Sequence, residues 1–296
     1  MAKGKTIMLQ GTSSGVGKSL LCTALCRIFR EEGYRVAPFK AQNMSSHVYI
    51  TKEGGLIGAA QGFQAEAAGI AATVEMNPIL LQPQTDTGAR VIVLGRDWGE
   101  MSGWDYRREF LPRAKEIVRQ CLDRLREEYE LLVIEGAGSP AEINLREGDI
   151  VNMATAEMAE SPVLLVADIH RGGAFASLIG TLELLTGEER KRVKGFFINK
   201  FRGDVRLLKP GLDFLVERTG RGVLGVIPYL KDHGIEEEDA LERPDENRLC
   251  RITGCAEKDL AVREELYSSV ASRVRAHLDL AGIYECMGLA GGRSLE

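Results

Sequence analysis

The sequence lacks the features of a membrane-spanning, secreted or disulfide-stabilised protein. No apolar stretch approaches the ~20 residues that a membrane-spanning helix needs. The first residues, MAKGK, run directly into an apolar segment, so we expect no signal peptide. None of the six cysteines forms a Cys-x-x-Cys pair. This cysteine usage predicts free thiols and a cytoplasmic, reducing environment.

Strong charge of either sign and internal repeats are also absent. The formal net charge is −5 over 296 residues, which gives no general attraction to nucleic acid or to an anionic membrane surface. We therefore predict neither of these as a partner. An apolar content of 44% is enough for a full hydrophobic core, and the length suits one large α/β domain or two small ones.

A glycine-rich segment near the start carries the strongest functional signal. Residues 11–19 read GTSSGVGKS and follow the apolar run Ile7-Met8-Leu9. Such a loop between a strand and a helix presents backbone amides to phosphate oxygens at the positive end of the helix. Its lysine reaches the outer phosphates of a nucleoside triphosphate, and the hydroxyl after it ligates magnesium. We predict ATP and Mg²⁺ as cofactors, with nucleotide contacts from Gly11, Thr12, Ser13, Gly15, Val16, Gly17, Lys18 and Ser19.

The chain beyond this loop alternates strand-like and helical segments. Apolar runs predict strands at Thr6–Gln10, Arg35–Phe39, Arg90–Leu94, Leu131–Glu135, Val163–Ala167, Gly195–Asn199 and Gly222–Ile227. Helices are predicted at Lys18–Glu32, Trp104–Tyr129, Gly173–Leu185 and Val205–Arg218. This alternation is typical of an α/β fold, a mostly parallel sheet with helices on both faces, in which ligands bind at the carboxyl ends of the strands.

The chain divides into three predicted parts. Residues 1–230 form a phosphate-loop, ATP-dependent domain, and the composition then shifts to a run rich in Glu and Asp. We interpret residues 231–259 as an acidic connector. A helix over residues 260–287 closes the chain, because an apolar residue recurs at every fourth position from Leu266 to Leu278. We expect that apolar face to dock on the core.

Two charged residues at strand ends carry the candidate chemistry. Glu135 ends the strand predicted to lie beside the phosphate loop, and it is expected to hold magnesium together with Ser19. Lys40 follows the second strand. With Lys18, it is expected to neutralise charge on a transferring phosphoryl group, which makes these two lysines the candidate catalytic residues.

Other polar residues follow later strands. Asn199 closes its strand and offers an amide that can pair with adenine, so we assign it and the adjacent Lys200 to the nucleotide. In the loop 168–173, Arg171 offers a guanidinium fork for a carboxylate or a phosphate. His170 in the same loop is either a general base or an ordinary surface residue.

Seven motifs follow one another along most of residues 5–245. The first is the phosphate loop, in which Thr12 stands where the common pattern has its first glycine. The others are Phe39–Ser45, Met76–Leu81, Glu135–Leu145, Asp149–Met153, Asn199–Asp204 and Leu224–Tyr229. The loop spacing resembles that of dethiobiotin-synthetase-like ATPases, and the whole ordered set resembles the cobyric acid synthases.

The resemblance implies a P-loop NTPase fold and an ATP-dependent amidoligase of cobalamin synthesis. Such enzymes amidate peripheral carboxylates of a corrinoid acid of the cobyrinic acid a,c-diamide type. The γ-phosphoryl group of ATP makes an acyl phosphate, and ammonia then displaces phosphate. The substrate contacts predicted for this chain are Gln42, Asn43, Ser45, Asn77, Gly136, Gly138 and Arg171.

The chain departs from the family pattern in two respects. Leu56, Ala59 and Gln82 stand where the family usually has charged residues, and His170 replaces an aspartate. Family members also carry a glutaminase domain whose nucleophile sits in a Gly-x-Cys-x-Gly elbow, whereas Cys255 lacks both flanking glycines. We predict no glutaminase activity in this chain, with nitrogen supplied as external ammonia or by a separate glutaminase subunit.

Two alternatives use the same phosphate loop. The ATP site would act on another acid, such as a different tetrapyrrole or a dethiobiotin-type substrate. Otherwise the chain would be a non-catalytic, nucleotide-switched partner protein. Such proteins usually have a lysine early in the loop, where this chain has Ser13. A homodimer fits this class of ATPase, which often builds sites near a two-fold interface.

Overall fold

The computed structural model describes residues 3–85, 87–231, 233–235, 251–253 and 257–291. The strands, in chain order, are β1 (Lys5–Gly11), β2 (Val36–Phe39), β3 (Gln42–Met44), β4 (Val48–Ile50), β5 (Leu56–Gly58), β6 (Ile79–Pro83), β7 (Gly88–Val93), β8 (Arg96–Ser102), β9 (Leu131–Glu135), β10 (Val163–Asp168), β11 (Val193–Phe201), β12 (Gly222–Pro228) and β13 (Arg251–Thr253). The helices are α1 (Lys18–Glu31), α2 (Ala59–Ala68), α3 (Gly103–Asp105), α4 (Leu111–Glu128), α5 (Met153–Met158), α6 (Ala174–Leu184), α7 (Gly187–Arg192), α8 (Val205–Thr219), α9 (Glu257–Arg275) and α10 (Leu280–Cys286).

A six-stranded sheet in the order β12-β11-β10-β1-β9-β2 forms the centre of the molecule. All of its neighbouring strands run parallel. Side chains alternate between its two faces: Ile7 and Leu9 of β1 belong to one buried cluster, and Met8 belongs to the other. Helices α1, α9 and α10 pack in the first cluster, and α4, α5, α6 and α8 pack in the second. The predicted α/β fold, with a mostly parallel sheet covered on both faces, is confirmed.

Two smaller sheets flank the central one. The first has the order β3-β6-β7-β8 and the second has the order β13-β4-β5. The strand predicted at Arg90–Leu94 exists as β7, but it pairs antiparallel with β6 and β8 and lies outside the central sheet. Five of the seven residues of β8 are exposed. The strand therefore has no apolar run from which it could be predicted.

The long helix predicted at Trp104–Tyr129 is wrong in its first part. The segment is a short α3, one π-helical turn at Tyr106–Phe110, and then α4. Pro112 occupies the first turn of α4, where a missing N–H costs no hydrogen bond and the fixed φ favours the start of a helix. Helix α2 was not predicted from the sequence.

The predicted closing helix over residues 260–287 is two helices, α9 and α10. The break comes where Leu278 forms a β-bridge with Gly225. Asp279 then caps α10 by accepting a hydrogen bond from the Gly282 amide at 3.0 Å. Residues 232, 236–250 and 254–256 of the predicted connector lie outside the described residues. Among the described helices, none combines the length and apolar character that a membrane span requires.

Candidate nucleotide-binding site

The phosphate loop joins the carboxyl end of β1 to the start of α1. Gly15 and Gly17 have φ values of 69° and 93°, in the left-handed region that favours glycine. A Cβ atom on Gly11 would lie 2.6 Å from the carbonyl oxygen of Ser13, so the loop closes only around a glycine. Lys18 and Ser19 open α1 and are only 2% and 5% exposed.

Neighbouring strands β10 and β11 support the loop through hydrogen bonds. The Thr12 amide donates to the carbonyl oxygen of Val166 at 2.9 Å. The Asn199 side-chain amide donates to the carbonyl oxygen of Val16 at 2.8 Å, and Lys200 Nζ donates to that of Gly15 at 2.6 Å. Asn199 and Lys200, the predicted nucleotide contacts on β11, therefore lie against the phosphate loop.

A cavity of about 240 Å³ opens beside this loop. The Oδ1 atom of Asn199 is buried and has no hydrogen-bond partner within the described part of the chain. The lining residues are Leu20, Asn199, Lys200, Tyr229, Leu230 and His233. Sequence reasoning missed four of them: Leu20, Tyr229, Leu230 and His233. The available signal was that Tyr229 follows the strand-like run ending at Ile227, and so comes at a carboxyl strand end.

Three loops meet around the ring of Tyr229. The guanidinium carbon of Arg202 lies 3.9 Å from the ring centroid, and the His170 ring centroid lies 5.5 Å away. The His170 backbone amide donates to Asp168 Oδ1 at 2.8 Å. His170 therefore lies beside Tyr229 in the wall of the cavity. Its role as a general base stays a prediction.

Glu135, Lys40 and Ser19 converge beside the loop. Oε1 of Glu135 accepts a hydrogen bond from the Ser19 hydroxyl at 2.8 Å and one from Lys40 Nζ at 2.9 Å. Lys40 and Glu135 are both 0% exposed. A carboxylate and a serine hydroxyl are hard oxygen donors of the kind that Mg²⁺ prefers. The donor set therefore fits the predicted magnesium ion.

Sequence reasoning missed a third group on Glu135. The side-chain amide of Gln64, on helix α2, donates to Oε2 of Glu135 at 2.6 Å. Gln64 is 0% exposed. Its position on an unpredicted helix left no motif from which this contact could be found.

Two thiols lie near Glu135 on α1. Burial raises the pKa of Cys22 well above its ordinary value, and the charge of Glu135 raises it further. The same two causes raise the pKa of Cys26. Both thiols are therefore protonated at neutral pH, which makes them poor metal ligands.

The predicted substrate residues Gln42, Asn43 and Ser45 lie on and just after β3. Gln42 Oε1 accepts a hydrogen bond from the Tyr106 hydroxyl. The Asn43 side-chain amide donates to Gln61 Oε1 at 3.2 Å. Ser45 Oγ accepts from the His47 amide at 3.0 Å. These three residues lie in one continuous segment that follows Lys40 in sequence.

Asn77 is buried and braces the backbone. Its amide nitrogen donates to the carbonyl oxygens of Lys40 and Ile79 at 2.9 and 3.1 Å, and its Oδ1 accepts from the Gly58 amide at 2.9 Å. Both ends of the side chain are thereby engaged with backbone. The geometry favours a structural role for Asn77 over the predicted substrate contact.

The remaining predicted substrate residues follow β9 and β10. A Cβ on Gly136 would lie 2.3 Å from Oδ1 of Asn152, and Gly138 has a φ of 56°. The Asn152 amide holds this turn by donating to the Ala137 carbonyl at 2.7 Å. Arg171 is 79% exposed, with Nε 3.8 Å from Asp168 Oδ2, and Nζ of Lys200 lies 3.7 Å from the same oxygen.

A glycine-rich loop between β1 and α1, at the carboxyl edge of a parallel sheet, defines a P-loop nucleotide-binding protein. The model of the CobQ/CobB/MinD/ParA nucleotide binding domain family matches residues 7–240. The chain belongs to this family.

Curated relatives of the chain are cobyric acid synthases. The one from Desulforamulus reducens is 67% identical over 241 residues, which are 81% of this chain and 47% of the relative. The one from Moorella thermoacetica is 56% identical over 258 residues, 87% of this chain and 50% of the relative. The one from Geobacillus kaustophilus is 55% identical over 241 residues, 81% and 48%. The chain thus spans about half the length of the curated relatives it matches.

Solved structures also match the chain, at low similarity. The cell division protein FtsY from Thermotoga maritima has a TM-score of 0.45 and 16% identity, over 91% of this chain and 69% of that one. A likeness of this degree carries no functional argument.

Proposed function

We propose that the chain uses ATP to amidate peripheral carboxylates of a corrinoid acid, such as cobyrinic acid a,c-diamide. The observation that carries this proposal is the 67% identity to a cobyric acid synthase over 81% of the chain. The chain also has a phosphate loop beside the buried Lys40–Glu135 ion pair. The corrinoid substrate is proposed from the name of the relatives. The activation of a carboxylate is proposed from the charged residues of the site.

The chemistry follows from the weakness of a carboxylate as an acyl donor. A carboxylate oxygen of the corrinoid attacks the γ-phosphorus of ATP, which gives an acyl phosphate and releases ADP. Ammonia then attacks the carbonyl carbon, and the C–O bond to phosphate breaks. The products are a primary amide and inorganic phosphate, with one proton lost from the ammonia nitrogen.

The charged residues of the site have separate roles in this proposal. Lys18 binds the outer phosphates from the start of α1. Lys40 offers a second ammonium to the developing charge on the transferred group, and such preorganised charges act most strongly in a site that excludes water. Magnesium, when bound, would neutralise phosphate charge, and Ser19 and Glu135 would hold it.

The adenine ring would occupy the cavity beside the loop. Asn199 Oδ1, the buried acceptor without a partner, would accept a hydrogen bond from the exocyclic amino group of adenine. The ring of Tyr229 and the side chain of Leu20 line the same cavity. This use of the cavity makes ATP the proposed nucleotide.

The nitrogen would reach the site as ammonia. Thr253 and Glu257 stand where a glutaminase elbow around Cys255 would have its two glycines. We propose that free ammonia, or a separate glutaminase subunit, supplies the second step.

A turnover assay tests this function. The purified protein is incubated with ATP, Mg²⁺, cobyrinic acid a,c-diamide and ammonium chloride, and ADP release and amidated corrinoid are measured. Ammonium should support amidation, whereas glutamine alone should not. The Lys18→Met variant should abolish product formation.

The same assay separates the alternatives. Absence of amidated corrinoid while ATP still binds would contradict the proposal. Turnover with a dethiobiotin precursor instead would assign the ATP site to another acid. ATP-dependent self-association without any product would favour a nucleotide-switched partner protein.

A further inference from the structure

We propose that Gln64 is a positioning residue that fixes the carboxylate of Glu135 for magnesium binding. This inference rests on the magnesium–ATP part of the proposed function and is independent of which acid is amidated. Gln64 would act through Glu135 and would touch neither the metal ion nor the nucleotide.

The contact itself is short and fully enclosed. Gln64 Nε2 lies 2.6 Å from Glu135 Oε2, and both side chains are 0% exposed. A hydrogen bond to an ionised acceptor is shorter and stronger than one between neutral groups. Burial also makes an unsatisfied carboxylate oxygen costly. Gln64 therefore supplies a donor that water does not replace.

The arrangement of donors around Glu135 explains why Gln64 sets an orientation. Ser19 and Lys40 both donate to Oε1, at 2.8 and 2.9 Å. Both of these bonds act on Oε1 and so restrain one oxygen of the carboxylate. A third donor, on Oε2, restrains the other oxygen, and the donors together hold the plane of the carboxylate against rotation about the bond between Cγ and Cδ. Oε1 is then directed toward Ser19, the other predicted ligand.

Helix α2 is itself anchored, which gives Gln64 a fixed base. Glu66, two residues along the helix, pairs with Arg263 of α9 at 3.0 Å. It also accepts hydrogen bonds from the hydroxyls of Tyr267 at 2.8 Å and Tyr49 at 3.1 Å. Helix α2 is thus tied to α9 and to β4, on the side away from Glu135. Partners of this kind that orient a metal ligand typically contribute about 10–100-fold to metal affinity.

Metal titration of a matched pair of variants tests the proposal. Gln64→Met removes the donor at similar volume. Gln61→Met makes the same change three residues away on α2, at an equally buried residue that contacts Asn43 and not Glu135. Magnesium affinity is measured by calorimetry with the full chain saturated by adenosine 5′-(β,γ-imido)triphosphate. Nucleotide affinity in EDTA is measured in parallel.

Gln64→Met should lose about 10–100-fold in magnesium affinity, while its nucleotide affinity in EDTA stays at the wild-type value. Gln61→Met should retain the wild-type magnesium affinity. Equal magnesium affinity in wild-type and Gln64→Met protein would overturn the proposal. So would an equal loss in both variants, because that result describes general damage to α2. If the magnesium affinities are as expected but the wild-type protein does not amidate the corrinoid, the result would count against the proposed substrate and not against the role of Gln64.

A second variant and a wild-type measurement cover the case in which Gln64→Met fails to fold. Gln64→Asn keeps a polar amide in the same space but stops one methylene short, and it should lose magnesium affinity as well. In the wild-type protein, the Gln64 side-chain amide resonances should shift when Mg²⁺ is added to the nucleotide complex. Unchanged resonances would overturn the proposal without any variant.

Discussion

Lys40 and Glu135 form an ion pair across the neighbouring strands β2 and β9, with Nζ 2.9 Å from Oε1. Solvent reaches 1% of the lysine side chain and none of the glutamate side chain. Taking two charges out of water is expensive, and their attraction offsets that cost only when further hydrogen bonds satisfy the remaining atoms. Ser19 and Gln64 provide such bonds to Glu135.

Removal of one partner from this ion pair should therefore destabilise the fold. We expect Lys40→Met to lower the free energy of unfolding by about 3–5 kcal/mol, because it leaves a buried carboxylate without its counter-charge. Urea denaturation at neutral pH measures the change. Lys191→Met is the matched control, since Lys191 pairs with Glu188 at the surface and should change stability little. Similar losses in the two variants would contradict the argument.

Asn199 should control both affinity for the nucleotide and selectivity for its base. Asn199→Leu removes the bond to the Val16 carbonyl and the buried Oδ1 acceptor. The loss of one neutral hydrogen bond weakens binding by up to about tenfold. We expect the wild-type protein to prefer ATP over ITP, and the variant to bind both equally and more weakly. Titration calorimetry measures the four affinities, and a preference that survives in the variant would show that another group reads the base.

Tyr49 should make stability depend on alkaline pH. Burial, and then the charge of Glu66, raise the pKa of Tyr49 to about 12 from an ordinary value of 10.0. Between these values the folded state keeps a proton that the unfolded state releases. The stabilisation is therefore present below about pH 10 and is lost as the pH rises toward about 12.

Tyr49→Phe removes this proton and should flatten the decline of unfolding free energy above about pH 10. Urea denaturation at several alkaline pH values measures the slope. The hydrogen bond to Glu66 is one of the causes of the raised pKa, so Tyr49→Phe should lower stability below about pH 10 and remove the decline above it. A slope that is unchanged or steeper in the variant would show that the Tyr49 phenol is not the responsible group.

Cysteine labelling should separate the buried thiols from a more accessible one. Burial raises the pKa of Cys121 to about 12, and it also raises that of Cys22 and Cys26. Only a thiolate on an accessible sulfur reacts readily. Iodoacetamide at mildly alkaline pH should modify Cys286, which is partly exposed, well before these three. Peptide mass spectrometry with and without urea measures the order, and early labelling of Cys22 in the native protein would be inconsistent with its place on α1.

The central sheet was predictable because its strands are buried on both faces. Continuous apolar runs such as 131–134 and 163–166 are the direct result of that burial. Glu135 and Lys40 were predictable for the same reason, since each follows such a run and carboxyl ends of neighbouring parallel strands meet at one edge. In the smaller sheets β7 was predicted, whereas strands of three residues such as β3, or of mostly exposed residues such as β8, give no apolar run to detect.

The parts of the site that sequence reasoning missed are set by tertiary packing. Gln64 reaches Glu135 because α2 packs against α1 and β2, and nothing in the local sequence fixes that placement. His233 reaches the cavity from a segment 33 residues beyond Lys200 in sequence. Asn77 was predicted from its motif as a substrate contact, and the structure adds that its side-chain amide bonds to the backbone of Lys40, Gly58 and Ile79.

Helix α1 carries the phosphate loop and is enclosed by the sheet, α2 and α9. The side chains of α9 that cover it include Tyr267, Val270 and Val274, each at most 2% exposed. The match to the nucleotide-binding family ends at residue 240, before α9 begins. We therefore expect the smallest fragment that folds on its own to be longer than the segment that matches the family model. A chain that ends at residue 240 would expose the apolar face of helix α1 and should aggregate, whereas one that extends through α10 should stay monodisperse.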